Sequence, residues 1–221
     1  MQVPDQIPEK RLYLITPSRI VDPDAFARIL DDALSPGGVV AIQLRLKADN
    51  GAAAPATDIR RAASALIPVC RARGVAFILN DDPRLARETG ADGVHVGQSD
   101  APYREARAIL GEDATVGVTC HASKHLAMEA GEAGADYVAF GAFFATSTKD
   151  AQTRAPIDLI ADWATATTVP CVAIGGITPE NCGPLIEAGA DFLAASAAVW
   201  AGPDGPRAAV EAFNQAFVRH G

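Results

Sequence analysis

Eight short apolar runs recur along the chain: 12–15 (LYLI), 39–44 (VVAIQL), 75–79 (VAFIL), 93–96 (GVHV), 115–119 (TVGVT), 136–140 (DYVAF), 170–174 (PCVAI) and 191–195 (DFLAA). They are continuous rather than alternating with polar residues, the pattern of strands covered on both faces in a parallel sheet. Longer stretches with helical patterning lie between them. One spans 56–73, rich in Ala, Arg, Leu and Ile; another spans 179–189, with Thr178 placed to cap it and Pro179 to take its first position. The joints between helix and strand repeat, as RETGADGV (87–94), GEAGADYV (131–138) and IEAGADFL (186–193). In each, a helical pattern stops at Gly, which takes the left-handed cap without steric cost, and a strand begins two residues later.

Eight strands alternating with eight helices over 221 residues, about 28 per unit, predict a (β/α)8 TIM barrel. The domain is expected to span 1–221, with residues 1–10 a flexible N-terminal extension. A doubly wound open sheet is the competing architecture. It would carry a Gly-rich dinucleotide fingerprint after the first strand, and LYLITPSRI has none.

Composition narrows the function classes. Hydrophobic residues make up 49% of the chain and charged residues 21%, ordinary for a compact enzyme and wrong for a disordered chain. A formal charge of −8 argues against a nucleic-acid surface, so an anionic ligand must be met by a few placed cations, helix N-termini or a metal. Cys70, Cys120, Cys171 and Cys182 form no CxxC pair and read as reduced, buried thiols. The opening MQVPDQIPEKR has no apolar signal stretch and no run approaches the ~18 apolar residues of a membrane span, so a cytoplasmic location is expected.

Residues at the C-terminal ends of barrel strands converge on one face, so the polar residues that close each apolar run are the informative ones. Gln43, Arg45 and Lys47 alternate to one side of the second strand, opposite Ile42 and Leu44, and polar residues at period two in an apolar strand are costly unless they line a wet lumen or a ligand. Asn80 and Asp81 come after strand 3, and Gln98 and Asp100 after strand 4. Two carboxylates at adjacent strand ends suit a divalent cation such as Mg²⁺, although Asp is also a common turn residue there. Thr119, Cys120 and His121 come after strand 5, and Thr146, Ser147, Thr148 and Lys149 after strand 6. Gly175 and Gly176 close strand 7 and Ser196 closes strand 8, where barrel loops often bind phosphate; a plain structural turn is the competing reading of Gly-Gly. Cys120 beside His121 is not expected to form a nucleophilic pair, His95 reads as a packed core residue, and His125 and His220 read as helix surface.

Taken together, QLRLK (43–47), ILND (78–81), ADGVHVGQSD (91–100), GVTCHAS (117–123), GADYVAFGAFFATSTK (134–149) and AIGGITPEN (173–181) resemble the thiamine phosphate synthase family over nearly the whole chain. That family joins a hydroxymethylpyrimidine diphosphate to a thiazole phosphate, releasing diphosphate and giving thiamine phosphate. The resemblance implies that Gln43 holds the pyrimidine and that Arg45, Lys47, Asn80, Thr119 and Lys149 contact the diphosphate, with Arg45, Lys47 and Lys149 the catalytic cations. It implies that Asp81 and Asp100 carry Mg²⁺, that Thr146 and Thr148 line the substrates, and that the Gly176 and Ser196 loops take the thiazole phosphate. The partners implied are small-molecule substrates, with no nucleic acid or membrane, and a homodimer is left open. The implied chemistry is an ionisation in which diphosphate leaves first and the thiazole nitrogen traps a pyrimidine cation.

Three positions depart from the family pattern. Leu46 stands where Glu is usual between Arg45 and Lys47, and Cys120 stands where Thr is frequent. Asp82 replaces the Arg common after Asn-Asp; since it precedes Pro83 and a helical stretch, it is expected to cap the third helix rather than ligate metal. A thiazole tautomerase on the same fold, using His121 as acid/base, and a catalytically silent thiamine phosphate-binding paralogue are the alternative functions.

Overall fold

The computed structural model describes residues 11–145 and 154–221. Within them eight parallel strands close into a barrel in sequence order. The strands are β1 (Leu12–Ile15), β2 (Val39–Leu44), β3 (Ala76–Asn80), β4 (Gly93–Val96), β5 (Thr115–His121), β6 (Tyr137–Gly141), β7 (Cys171–Ile174) and β8 (Phe192–Ala195). The described helices are α1 (Pro23–Leu34), α2 (Ala56–Arg73), α3 (Pro83–Thr89), α4 (Tyr103–Leu110), α5 (Lys124–Ala133), α6 (Asp158–Ala166), α7 (Gly183–Glu187), α8 (Ala197–Trp200) and α9 (Gly205–His220). β1 pairs with β2 on one side and, through Leu12↔Leu193, Tyr13↔Ala194 and Leu14↔Ala195, with β8 on the other. An open sheet would leave β1 or β8 an edge, so the barrel expectation holds. The expected extension at residues 1–10 lies outside the described residues.

The continuous apolar strands serve two separate layers. Leu12, Leu14, Ile42, Leu44, Phe77 and Leu79 face outward into the core shared with the helices. Tyr13, Ile15, Ala41, Ile78, Tyr137, Ala139, Val172 and Ala194 fill the lumen. Both faces of each strand are dry, which is why period-two polarity is muted, and each fully buried Leu, Ile or Phe contributes roughly 1.5–3 kcal/mol over its exposed state.

The repeated joints do more than stop helices. Gly90 and Gly134 take positive φ values of 73° and 101° as C-caps of α3 and α5, and Gly189 has a φ of 95° after α7. The aspartate two residues on turns back to the start of a neighbouring strand. Phe77 N–H donates to Asp92 Oδ2 at 2.7 Å, Val116 N–H to Asp136 Oδ2 at 2.6 Å, and Cys171 N–H to Asp191 Oδ2 at 2.8 Å. Each carboxylate thus satisfies the backbone donor of a fully buried residue.

Two helix expectations are corrected. Residues 179–189 do not form one helix capped by Thr178. Asn181 Oδ1 accepts from Thr178 N–H at 2.9 Å while Asn181 Nδ2 donates to Gly176 O at 2.9 Å, and α7 begins only at Gly183. A short polar side chain that satisfies backbone groups locally competes with helix formation, and here it wins. An additional one-turn helix, α8, comes after Ser196 before α9 closes the barrel against β1.

Candidate functional site

At the C-terminal end of β2 the expected alternation is realised. Gln43 points into the lumen and is 4% exposed, whereas Ile42, Leu44 and Leu46 are buried in the outer core. Leu46 therefore faces away from the polar side, and its departure from the family pattern leaves the site untouched. Gln43 Nε2 donates to Asn80 Oδ1 at 2.6 Å, joining the ends of β2 and β3. Arg45 N–H donates to Thr16 Oγ1 at 3.0 Å, which ties the segment after β2 to the end of β1. Thr16, 2% exposed, also accepts on its backbone oxygen from Ser196 Oγ at 3.4 Å, linking β8 into the same rim.

Lys47 Nζ lies 2.8 Å from Asp81 Oδ2, both side chains partly buried. Asp81 has a left-handed φ of 70°, a conformation Asp tolerates better than most non-Gly residues, and its N–H is anchored to His95 O at 2.8 Å. Asp100 Oδ2 accepts from Gly97 N–H at 2.7 Å. Burial raises the Asp100 carboxyl above its ordinary range, the Gly97 N–H pulls it back, and the charge of neighbouring Asp81 raises it again. Asp81 and Asp100 interact with each other and with the Lys47 ammonium, two carboxylates against one cation. No cluster of three or more His, Cys, Asp or Glu occurs among the described residues. Two carboxylates nonetheless fit Mg²⁺, which takes one or two protein carboxylates and completes its shell with water and phosphate oxygens.

Asp82, next in sequence, is turned away from this pair. Its Oδ1 accepts from Arg84 N–H at 2.9 Å and Leu85 N–H at 3.0 Å, capping α3 with Pro83 in the first turn, as expected. A shallow cleft bounded by Asp81, Asp82, Pro83, Arg84, Asp100, Ala101 and Glu105 opens beside the carboxylates. A larger hollow between α4 and α5, around Tyr103, Arg107 and Gly134, lies at the opposite, N-terminal end of the strands, away from every candidate residue.

Beneath the rim runs a polar network that the apolar pattern concealed. Tyr13 OH donates to Gln43 Oε1 at 3.3 Å and lies 3.0 Å from Tyr137 OH. His95 Nδ1 is 2.9 Å from Tyr137 OH and Nε2 is 2.7 Å from Thr119 Oγ1. His95 is thus buried as expected, but inside the lumen and fully hydrogen-bonded, and burial lowers its pKa to about 4. Gly117 makes room for this arrangement, since a Cβ there would stand 1.9 Å from the Tyr137 ring. The signal was present in LYLI, GVHV and DYVAF, where Tyr13, His95 and Tyr137 share the inward parity of their strands.

Around the rest of the rim, Gln98 Nε2 donates to Thr119 O at 2.6 Å, and His121 ends β5 with a φ of 51°. Cys120 faces the outer core, fully buried, with its thiol pushed up to about 12 by burial, so it offers no nucleophile. The other three cysteines are also buried and free. Gly175 and Gly176 have φ values of 105° and 63°, and a Cβ on Gly176 would meet Ala145 O at 2.2 Å. These glycines admit the backbone after β6 close to the end of β7. Thr146, Thr148 and Lys149 lie outside the described residues. His125 is exposed on α5, and His220 on α9 lies 2.7 Å from Glu187 Oε1.

Comparison with known proteins gives the family. Residues 12–199 match the family model described as thiamine monophosphate synthase. The chain is 58% identical over 205 residues to a thiamine-phosphate synthase of Rhodospirillum centenum, covering 93% of this chain and 96% of the relative. It is 50% identical to one of Hyphomonas neptunium, covering 95% of each. The solved thiamine phosphate pyrophosphorylase of Pyrococcus furiosus superposes with a TM-score of 0.79 at 28% identity, covering 95% of this chain and 96% of that one. The chain belongs to the thiamine monophosphate synthase family.

Proposed function

We propose that the chain joins a hydroxymethylpyrimidine diphosphate to a thiazole phosphate, releasing diphosphate and forming thiamine phosphate. The observation that carries this reading is the meeting at one barrel end of an amide pair, Gln43 and Asn80, with the acidic pair Asp81 and Asp100 and the Lys47 ammonium. Uncharged ring recognition and diphosphate handling are thereby set side by side.

The residues divide the work by chemistry. The carboxamide of Gln43, held by Asn80 and Tyr13, suits a heteroaromatic ring. Arg45 and Lys47, together with Lys149 beyond the described residues, counter charge as the diphosphate leaves. Asp81 and Asp100 would hold Mg²⁺, which when bound would supply further positive charge for that leaving group. The loops at Gly176 and Ser196 receive the thiazole phosphate, with Thr146 and Thr148 lining the substrates. Diphosphate departs first and the thiazole nitrogen takes its place on the pyrimidine methylene carbon, so catalysis rests on orientation and charge stabilisation. A protein nucleophile is not required, in keeping with the burial of Cys120.

Neither the tautomerase nor the silent paralogue gains a supporting observation. No described helix is long and apolar enough to cross a membrane, and the four free, buried cysteines suit the reducing cytoplasm in which we place the enzyme. The test is direct: purified protein with both substrates, with and without Mg²⁺, assayed for thiamine phosphate and diphosphate. Mg²⁺-dependent formation of both is expected; tight product binding without turnover would favour the silent paralogue.

A further inference from the structure

Among the described residues the lumen network is one unbranched chain: Asn80, Gln43, Tyr13, Tyr137, His95, Thr119. Its hydrogen-bond directions come from counting protons. Burial raises both tyrosines, so each hydroxyl keeps its single proton. Gln43 Nε2 donates to Asn80, which leaves Oε1 toward Tyr13. A carbonyl oxygen only accepts, so Tyr13 donates its one proton to Gln43. Tyr137 must then donate to Tyr13, and in turn can only accept from His95. That places the imidazole proton on Nδ1. A neutral imidazole, its ordinary form at pH 8, has a bare Nε2 that accepts from Thr119. No bond in the series reverses alone: reversal requires turning the Asn80 and Gln43 amides, both hydroxyls, the imidazole tautomer and the Thr119 hydroxyl together.

We infer that His95 is a positioning residue whose Nδ1–H tautomer is coupled, through Tyr137 and Tyr13, to the amide orientation of Gln43, so that the two are held together. The inference rests on the function proposed above and deepens it. With one N–H given to Asn80 and one carbonyl lone pair taken by Tyr13, Gln43 keeps one N–H and one lone pair for a ligand. A neighbouring donor and acceptor match an amino group beside a ring nitrogen, the edge of an aminopyrimidine. At the far end Thr119 has committed its proton to His95 and presents lone pairs only. It therefore accepts from a ligand donor and makes no hydrogen bond to a diphosphate oxygen, which departs from the diphosphate contact that the family resemblance implied for it. Asn80, accepting from Gln43, keeps its amide N–H groups as donors.

The tautomer is measurable in the full chain labelled with ¹⁵N-histidine at pH 8, by long-range ¹H–¹⁵N correlation, with the His95→Gln spectrum assigning the signals. A protonated Nδ1 and an unprotonated Nε2 are expected; a protonated Nε2 overturns the inference. Tyr137→Phe keeps the ring that Gly117 accommodates and cuts the chain at its middle. Loss of the single tautomer is expected in that variant. With it should come a roughly tenfold rise in KM for the aminopyrimidine diphosphate and an unchanged KM for the thiazole phosphate, as for loss of one oriented hydrogen bond. Equal changes in both constants, or none, overturn the positioning role. Tyr13→Phe breaks the adjacent link and is read the same way if Tyr137→Phe does not fold. Absence of synthase turnover in the unaltered protein sinks the proposed function, while the tautomer measurement still judges the chain of hydrogen bonds.

Discussion

Lys47 reaches from the end of β2 to Asp81 at the end of β3, Nζ to Oδ2 at 2.8 Å, where Asp81 is held in a left-handed backbone conformation. The carboxylate is thus presented at the rim by a strained residue anchored to His95 O. Asp81→Asn and Asp100→Asn should each retain the fold, weaken the apparent affinity for Mg²⁺ and cut turnover about a hundredfold or more, the scale of a lost charge-stabilising group. Asp81→Ala should in addition lose on the order of 1 kcal/mol of stability, since Ala tolerates that φ less well. Turnover titrated with Mg²⁺, before and after EDTA, measures both effects; unchanged kinetics in both Asn variants would return these acids to the role of turn residues.

Asp82 is a cap, and its variants should report on stability alone. Asp82→Ala should lower stability by roughly 0.5–2 kcal/mol, while Asp82→Asn, which keeps the accepting oxygen, should retain most of it. Neither should move the Mg²⁺ dependence of turnover. Thermal melts with parallel titrations decide it, and an unaltered melt with a large shift in Mg²⁺ affinity would put Asp82 in the metal site.

The three repeat aspartates should behave alike despite their distance from the site. Replacing Asp92, Asp136 or Asp191 by Ala leaves the N–H of a buried strand residue without its carboxylate partner, at a cost of about 1–3 kcal/mol each. Denaturant unfolding of the three variants would show it, and KM values should stay near those of the unaltered protein. Full stability in all three would mean that solvent replaces the carboxylates.

His95 makes stability depend on pH. Its folded pKa, about 4, lies below the ordinary imidazole value, so the unfolded chain takes up a proton first as the pH falls. The contribution is fully present above about pH 6.5 and is lost toward pH 4, amounting to about 3 kcal/mol over that window. Melts in EDTA between pH 7 and 4.5 should show a steeper decline for the unaltered protein than for His95→Gln, if that variant folds. Parallel declines would remove His95 as the cause.

Much of the barrel could be read from local pattern, because strands dry on both faces, glycine-ended helices and capping pairs are written within a few residues of one another. The bounds of β1, β2, β4 and α2 fall where the apolar runs and helical stretch ended. The Asp82–Pro83 cap was legible for the same reason: its donors are two and three residues away. So was the clustering of Gln43, Lys47, Asn80, Asp81 and Asp100, because closing parallel strands brings their C-terminal ends to one rim.

What local pattern could not carry was any contact whose partners meet only when the barrel closes. Tyr13, His95 and Tyr137 lie on β1, β4 and β6, and their hydrogen bonds depend on strand register and lumen width, which no stretch of sequence specifies alone. The repeat aspartates carried no assigned role in the sequence, because their partners are backbone donors on the neighbouring strand, 15 to 20 residues away. At 179–181 the helical pattern was overruled because Asn181 found Gly176 O and Thr178 N, in a turn folded against the end of β7. Chain order and residue type were enough to define the elements and to gather the polar groups at the rim. Which of those groups share a proton was settled by the closed barrel, since hydrogen-bond partnership is set by distance and direction across elements rather than by spacing along the chain.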